Sequence, residues 1–191
     1  MAKFFGNLHL VLVVGLVAAI AVMIGFSSEI TVNVNSVFRW MHVFFGILWI
    51  GLLYYLNFVQ VPTMPKIPAE MKGAITGHIA PKVFFFFRWA ALLTVITGLV
   101  IAIVSGYGHR ALTFSGLSKA ENLIGVGMWL ALIMAFNVWF IIWPAQKKIL
   151  GIVEATAEEK AAAAPRALIA SRTNLLLSLP MLYCMVSANL G

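Results

Sequence analysis

Apolar runs of membrane-spanning length recur five times along the chain, at roughly 7–27, 38–61, 82–105, 122–144 and 168–190, with polar stretches between them. A transmembrane helix needs about 20 mostly apolar residues, so each run predicts one spanning helix. The expected fold is an all-α integral membrane protein, a single membrane domain over 1–191 built as a bundle of five transmembrane helices. The first run follows Lys3 as a signal peptide would, but it is about 19 residues long and lacks an A-x-A cleavage site, which reads as a retained helix. Two connections are longer than the rest. Residues 62–81 hold Pro62, Pro65, Pro68 and Pro81, and predict a loop. Residues 145–167 contain "IVEATAEEKAAAAPRAL", in which Ala, Glu and Lys favour helix and Pro165 suits a first turn. This segment is expected to be a cytoplasmic helical extension of the fourth span.

Composition sharpens the class. Of 191 residues, 62% are hydrophobic and 10% charged, and the mean hydropathy is +1.00, far from ordinary soluble domains. The formal net charge of +7 invites thoughts of nucleic acid, yet most Lys and Arg sit at the ends of apolar runs, the footprint of topology rather than of a nucleic-acid partner. Lys3, Lys66, Lys72, Lys82, Lys147, Lys148, Lys160, Arg166 and Arg172 fall on the side of the N-terminus and the two long connections; Arg39, Arg110 and Lys119 fall on the other. By the positive-inside rule the N-terminus is cytoplasmic and the C-terminus outside. The lone cysteine, Cys184, cannot form an internal disulfide, and no C-x-x-C-H is present, so any haem would be non-covalent.

Ionisable side chains at membrane depth are costly and raise functional hypotheses. Of the four histidines, His9 and His78 fall near the inner surface and His42 and His109 near the outer one, but only His42 lies clearly within a span. On a helix its face carries Phe45, Gly46 and Trp49. An imidazole ligand, a close backbone approach and aromatic walls suit a flat macrocycle such as haem b. A neutral histidine bonded to a neighbouring helix, with glycines serving close packing, accounts for the same residues. Both readings stand at this point. His109, in the glycine-rich "SGYGHRALTFSG", is a possible second axial ligand or a solvated loop residue. Arg39, in "FRWMH", sits where a haem propionate or a lipid headgroup would meet it.

Other constellations carry less. Asn174, Ser178, Met181, Met185 and Asn189 form a polar and thioether stripe on the last span, readable as soft Cu(I) ligands or as core filling. Pro180 within it should kink the helix. Arg88, in "VFFFFRWAALL", is expected to snorkel to the inner surface, or to meet a propionate or carboxylate. The six acidic residues all lie away from the membrane centre, which leaves no carboxylate relay, and no phosphate-cradling glycine loop appears.

Several stretches together resemble the urate oxidase N-terminal family, the membrane domain of bacterial membrane-bound urate hydroxylases whose longer members end in a cytochrome c domain. They are "RWMHVFFGILWIGLLYYLNFV" at 39–59, "FRWAALLTVITGL" at 87–99, "NVWFIIWPAQKKIL" at 137–150 and "SRTNLLLSLPMLYCMVSANL" at 171–190. The first is also similar to small haem-binding membrane proteins such as the membrane protoporphyrinogen oxidase family; the last two are more specific. The resemblance implies a redox-linked module in a bacterial inner membrane, with His42 as its candidate ligand. Arg172, Asn174, Pro180, Met185 and Ser187 match the last motif as architecture. Where that motif has histidines, this chain has Thr173 and, approximately, Asn189, and no cytochrome c domain follows. The implied protein is a shortened, repurposed relative, and an electron-transferring version of it would need a separate partner, a cytochrome or a larger membrane complex.

The expected function is a haem b-binding membrane electron-transfer protein or small oxidoreductase. His42 and, second, His109 would hold the iron, Arg39 a propionate, and Phe45, Gly46 and Trp49 the macrocycle. The alternative is a non-catalytic accessory subunit of a larger membrane complex, its aromatic and small residues serving lipid and helix contacts. Transport ranks third, for want of an intramembrane carboxylate or paired broken helices.

Overall fold

The computed structural model describes residues 2–26 and 33–188. The described residues are helical throughout apart from short turns, with no strand among them. Five helices are long and apolar enough to cross a membrane: α1 (Leu8–Gly25), α2 (Val34–Lys66), α3 (Ala69–Val104), α5 (Lys119–Ile149) and α6 (Ala157–Ser187). A short α4 (Gly108–Leu112) lies between α3 and α5. Asn189, the last member of the polar stripe, lies outside the described residues.

The chain divides into two compact units, Met1–Val37 and Phe38–Gly191. In the first, Asn7 caps α1 by accepting from the Leu10 N–H at 3.1 Å. None of the α1 side chains is buried, and the helix is apolar all round, a surface suited to lipid.

The second unit begins within α2 and holds α3 to α6. Its helices depart from simple α geometry at three places. Tyr55–Gln60 in α2, Ile75–Ile79 in α3 and Asn137–Ile142 in α5 are π-helical, and each is followed two residues later by a proline: Pro62, Pro81 and Pro144. The cause is local. Proline donates no backbone bond and its ring crowds the carbonyl four residues back; a wider turn just upstream moves that carbonyl aside. The N–H groups of Val61, Ala80 and Trp143 accordingly reach five residues back, to Leu56, Ile75 and Val138. The proline-rich connection expected over 62–81 is therefore mostly helix, with an extended break only at Ile67 and Pro68.

The second long connection also differs from expectation. α5 ends by Ile149, and Gly151 turns the chain at φ +70°. Thr156 and Glu159 then form a reciprocal capping box that starts α6 at Ala157. The Ala-rich segment thus extends the last span rather than the fourth, and Pro165 falls inside that helix. A capping box satisfies two of the orphan N–H groups of a helix start, and this one outweighs the weaker proline signal. Lys148 pairs with Glu159 across the break at 2.9 Å.

Buried residues recur at helical spacing: Trp49, Leu53 and Leu56 on α2, Phe84, Phe87 and Ala91 on α3, Met134, Val138 and Ile142 on α5, and Ala170 and Met181 on α6. In a bilayer, packing and hydrogen bonds rather than water exclusion hold such helices together. Small residues permit the closest approaches. A Cβ on Gly125 would overlap the Ala111 carbonyl, which locks α4 onto α5, and one on Gly127 would come within 2.9 Å of Cys184 Cβ on α6. Buried amides supply the glue: Asn137 donates to Asn174 Oδ1, Asn174 to the Met134 carbonyl, and Asn57 to the Leu53 carbonyl and Ser171 Oγ, all at 2.9 Å. Asn57 is 2% exposed. Where α4 meets the start of α5, Arg110 grips both oxygens of Glu121 at 3.0 and 2.7 Å. Together with the Leu117 N–H, it holds that carboxyl down to about 2.

Candidate functional site

Residues 38–54 of α2 make few close backbone approaches to α5 and α6, and a cavity of about 700 Å³ fills the gap. Arg39, His42, Gly46 and Trp49 of α2 line one wall, Thr94 and Gly98 of α3 another. Tyr107, Met128 of α5, and Met181 and Met185 of α6 complete it. Val43 and Ile47, also on its lining, are 53% and 70% exposed, so it opens to the surface beside these apolar side chains.

His42 is held from α3. Its Nδ1 lies 2.9 Å from the Thr94 carbonyl oxygen and 3.3 Å from Thr97 Oγ1. A carbonyl only accepts, so Nδ1 carries the proton, and in the neutral ring Nε2 keeps its lone pair. A histidine with one ring N–H fixed on a backbone carbonyl is oriented as metal-ligating histidines are. The ring fits because residue 98 has no side chain: a Cβ on Gly98 would stand 2.9 Å from His42 Cε1 and 3.2 Å from Nδ1. Gly46, by contrast, would place a Cβ 3.9 Å from Thr94 Cγ2, an ordinary contact. The glycine that His42 requires is therefore on another helix. Only its place four residues after Thr94 in "TVITG" signals it in the sequence.

Trp49 is fully buried in the cavity wall, and its indole N–H has no partner among the described residues. An unmet donor in an apolar setting costs about 1–3 kcal/mol, which a ligand acceptor would offset. Arg39 is exposed, one turn before His42, at the same cavity. Two of the sequence candidates lie elsewhere. Phe45 packs edge-on against Phe44 and is not on the lining, and His109 is exposed in α4, off the cavity. Thr173 is exposed too.

The remaining candidates have structural partners. Arg88 stacks over the Trp143 ring at 3.9 Å and lies 5.5 Å from that of Phe85; cation–π contact rather than a propionate satisfies it. The polar stripe of α6 splits in two. Asn174 and Ser178 are bonded within the bundle, Ser178 to Tyr54 at 3.2 Å, whereas Met181 and Met185 face the cavity. Among the described residues no group of three or more His, Cys, Asp or Glu is placed to hold a bare metal ion.

No curated protein and no solved structure matches the chain. Residues 111–191 match the family model described as urate oxidase N-terminal. The match covers the end of α4, α5 and α6, hence the Met128, Met181 and Met185 wall of the cavity, but not His42. Over that segment, less than half of its length, the chain is similar to the urate oxidase N-terminal family, in line with its motifs at 137–150 and 171–190; the motifs at 39–59 and 87–99 lie outside the match.

Proposed function

We propose that the protein is a haem b-binding electron-transfer protein, or small redox module, of a bacterial inner membrane, with its N-terminus cytoplasmic and its C-terminus outside. The observation that carries the reading is the Nδ1–H bond of His42 to the Thr94 carbonyl, which leaves Nε2 as a ligand on a cavity wall. The residues present fit the cofactor in three further respects. The volume lies within the roughly 300–1,000 Å³ of sites for molecules of this class; the lining is chiefly apolar; and Arg39 supplies one cation on the His42 side for a propionate. Haem b, when bound, supplies a one-electron couple. The chain binds it through His42 Nε2, keeps the imidazole in one tautomer through Thr94 and Thr97, and walls off water with Trp49 and the apolar faces of α3, α5 and α6. His109 does not line the cavity, so this reading rests on His42. The electron partner is a separate cytochrome or a larger membrane complex.

The test is the absorbance of the protein purified from haem-replete cells. A Soret band in the wild type that is lost in His42→Ala is expected. Its absence in the wild type, or its survival unchanged in His42→Ala, overturns the assignment. A second reading, a non-catalytic accessory subunit, is favoured by α1, whose side chains are all unburied. Colourless protein co-purifying at fixed ratio with a larger complex would support it.

A further inference from the structure

We infer that Met185 is the second axial ligand of the haem, opposite His42. This rests on the haem reading above. Apart from His42, the cavity-lining side chains with an atom able to bind haem iron are the Tyr54 and Tyr107 phenols, the former already bonded to Ser178, and the thioethers of Met128, Met181 and Met185. Thioether sulfur is a good ligand for haem iron, and phenolate serves only when deprotonated. Two observations single out Met185.

The first is register. Asn57 and Ser171 are hydrogen-bonded and tie α2 to the antiparallel α6. His42 lies fifteen residues outward from Asn57 along α2, and Met185 fourteen outward from Ser171 along α6. At a rise of about 1.5 Å per residue they stand roughly 22.5 and 21 Å beyond that bond, so imidazole and thioether come to nearly the same level. Met181 is a full turn deeper.

The second is the seat of the sulfur. A Cβ on Gly127 would stand 3.2 Å from Met185 Cε and 3.6 Å from its Sδ. The thioether therefore lies against α5, on the inward side of α6, at a point cleared by a glycine. Gly98 thus seats the histidine and Gly127 the methionine, from two different helices. Ligation is a dative bond from each donor atom to iron, with no proton or electron displaced. With both axial positions filled by protein, no open position remains for oxygen, and the methionine raises the reduction potential relative to a bis-histidine site.

The test is the spectrum and potential of the haem-loaded, full-length protein in detergent. The ferric wild type is expected to show the far-red sulfur-to-iron charge-transfer band of His/Met haem. Met185→Leu should lose that band and fall in potential while keeping its Soret band and helical circular dichroism. Met128→Leu should keep the band. Met185→His should give a low-spin bis-histidine spectrum without it. A Soret band with no sulfur band in the wild type, or a sulfur band unchanged in Met185→Leu, overturns the assignment of Met185 and leaves the haem reading intact. Absence of any Soret band in the wild type removes both.

Discussion

His42 belongs to α2 in sequence but to α3 in its chemistry, because the Thr94 carbonyl orients it and the bare Cα of Gly98 makes room for it. A single methyl group at position 98 is thus a sharp probe. In Gly98→Ala the new Cβ would have to push the imidazole by several tenths of an ångström, and the Nδ1 bond would stretch or break. Losing an orienting partner costs metal sites about 10- to 100-fold in affinity. Haem titration of Gly98→Ala is expected to show a loss in that range with helicity unchanged; unaltered affinity would mean that the ring is not held as described. Gly46→Ala, which meets only an ordinary contact, should be far milder. Neither difference is legible in the sequence, where Gly46 looks like the partner of His42 because helical neighbours can be read from spacing. A residue supplied from another helix, 56 positions along the chain, cannot.

Among the elements, the buried amides and the widened turns work together. Asn57 and Asn137 both lie in π-helical segments, and each turns its amide to the face that meets α6. Asn174→Leu removes a donor to the Met134 carbonyl and an acceptor for Asn137, so Asn137 keeps a buried amide with one bond fewer. Bonds of this kind between membrane helices are worth about 0.6–2 kcal/mol, and an amide left unmet adds to the loss. A lower thermal midpoint in detergent is expected for Asn174→Leu, with Asn137→Leu adding less on top of it than it costs alone. Full additivity would show that the two amides are not coupled. The five helices long and apolar enough to span a membrane were legible, since length and apolarity suffice to find them. Their ends were not. The prolines at 62, 81 and 144 look like breaks by propensity, yet a π turn ahead of each lets the helix continue, and the Thr156–Glu159 box moved the helical part of the last connection from α5 to α6. Such choices are made by carbonyls and caps, which leave weaker marks than apolar runs.

For the whole molecule, thiol labelling reports the orientation in the membrane. Cys184 is buried and is the sole native cysteine, so the wild type offers a quiet background for thiol labelling. Leu117→Cys, at an 84% exposed site, is expected to react with a membrane-impermeant maleimide added outside intact cells. Glu154→Cys, at the break between α5 and α6, should react only after permeabilisation; the opposite result inverts the topology. The junction of α4 and α5 has its own pH signature. Arg110 and the Leu117 N–H lower the Glu121 carboxyl from an ordinary 4.5 to about 2. A depressed carboxyl contributes stability above its unfolded value and loses it as pH falls through its folded one, so the contribution is whole at neutral pH and declines between about 4.5 and 2. The thermal midpoint of the wild type is expected to fall over that window more steeply than that of Glu121→Gln. Parallel curves would show that the pair adds nothing.

The three π turns have a consequence for exchange with solvent. The prolines at 62, 81 and 144 each remove a backbone donor from the turn that follows a π segment. Amides around 55–60, 75–79 and 137–142 are therefore the first within their helices to trade hydrogen for deuterium, ahead of the α-helical turns that seat His42. Hydrogen exchange measured residue by residue checks this, and rates at 55–60, 75–79 and 137–142 no faster than in the flanking α turns would show that the widened turns do not open first.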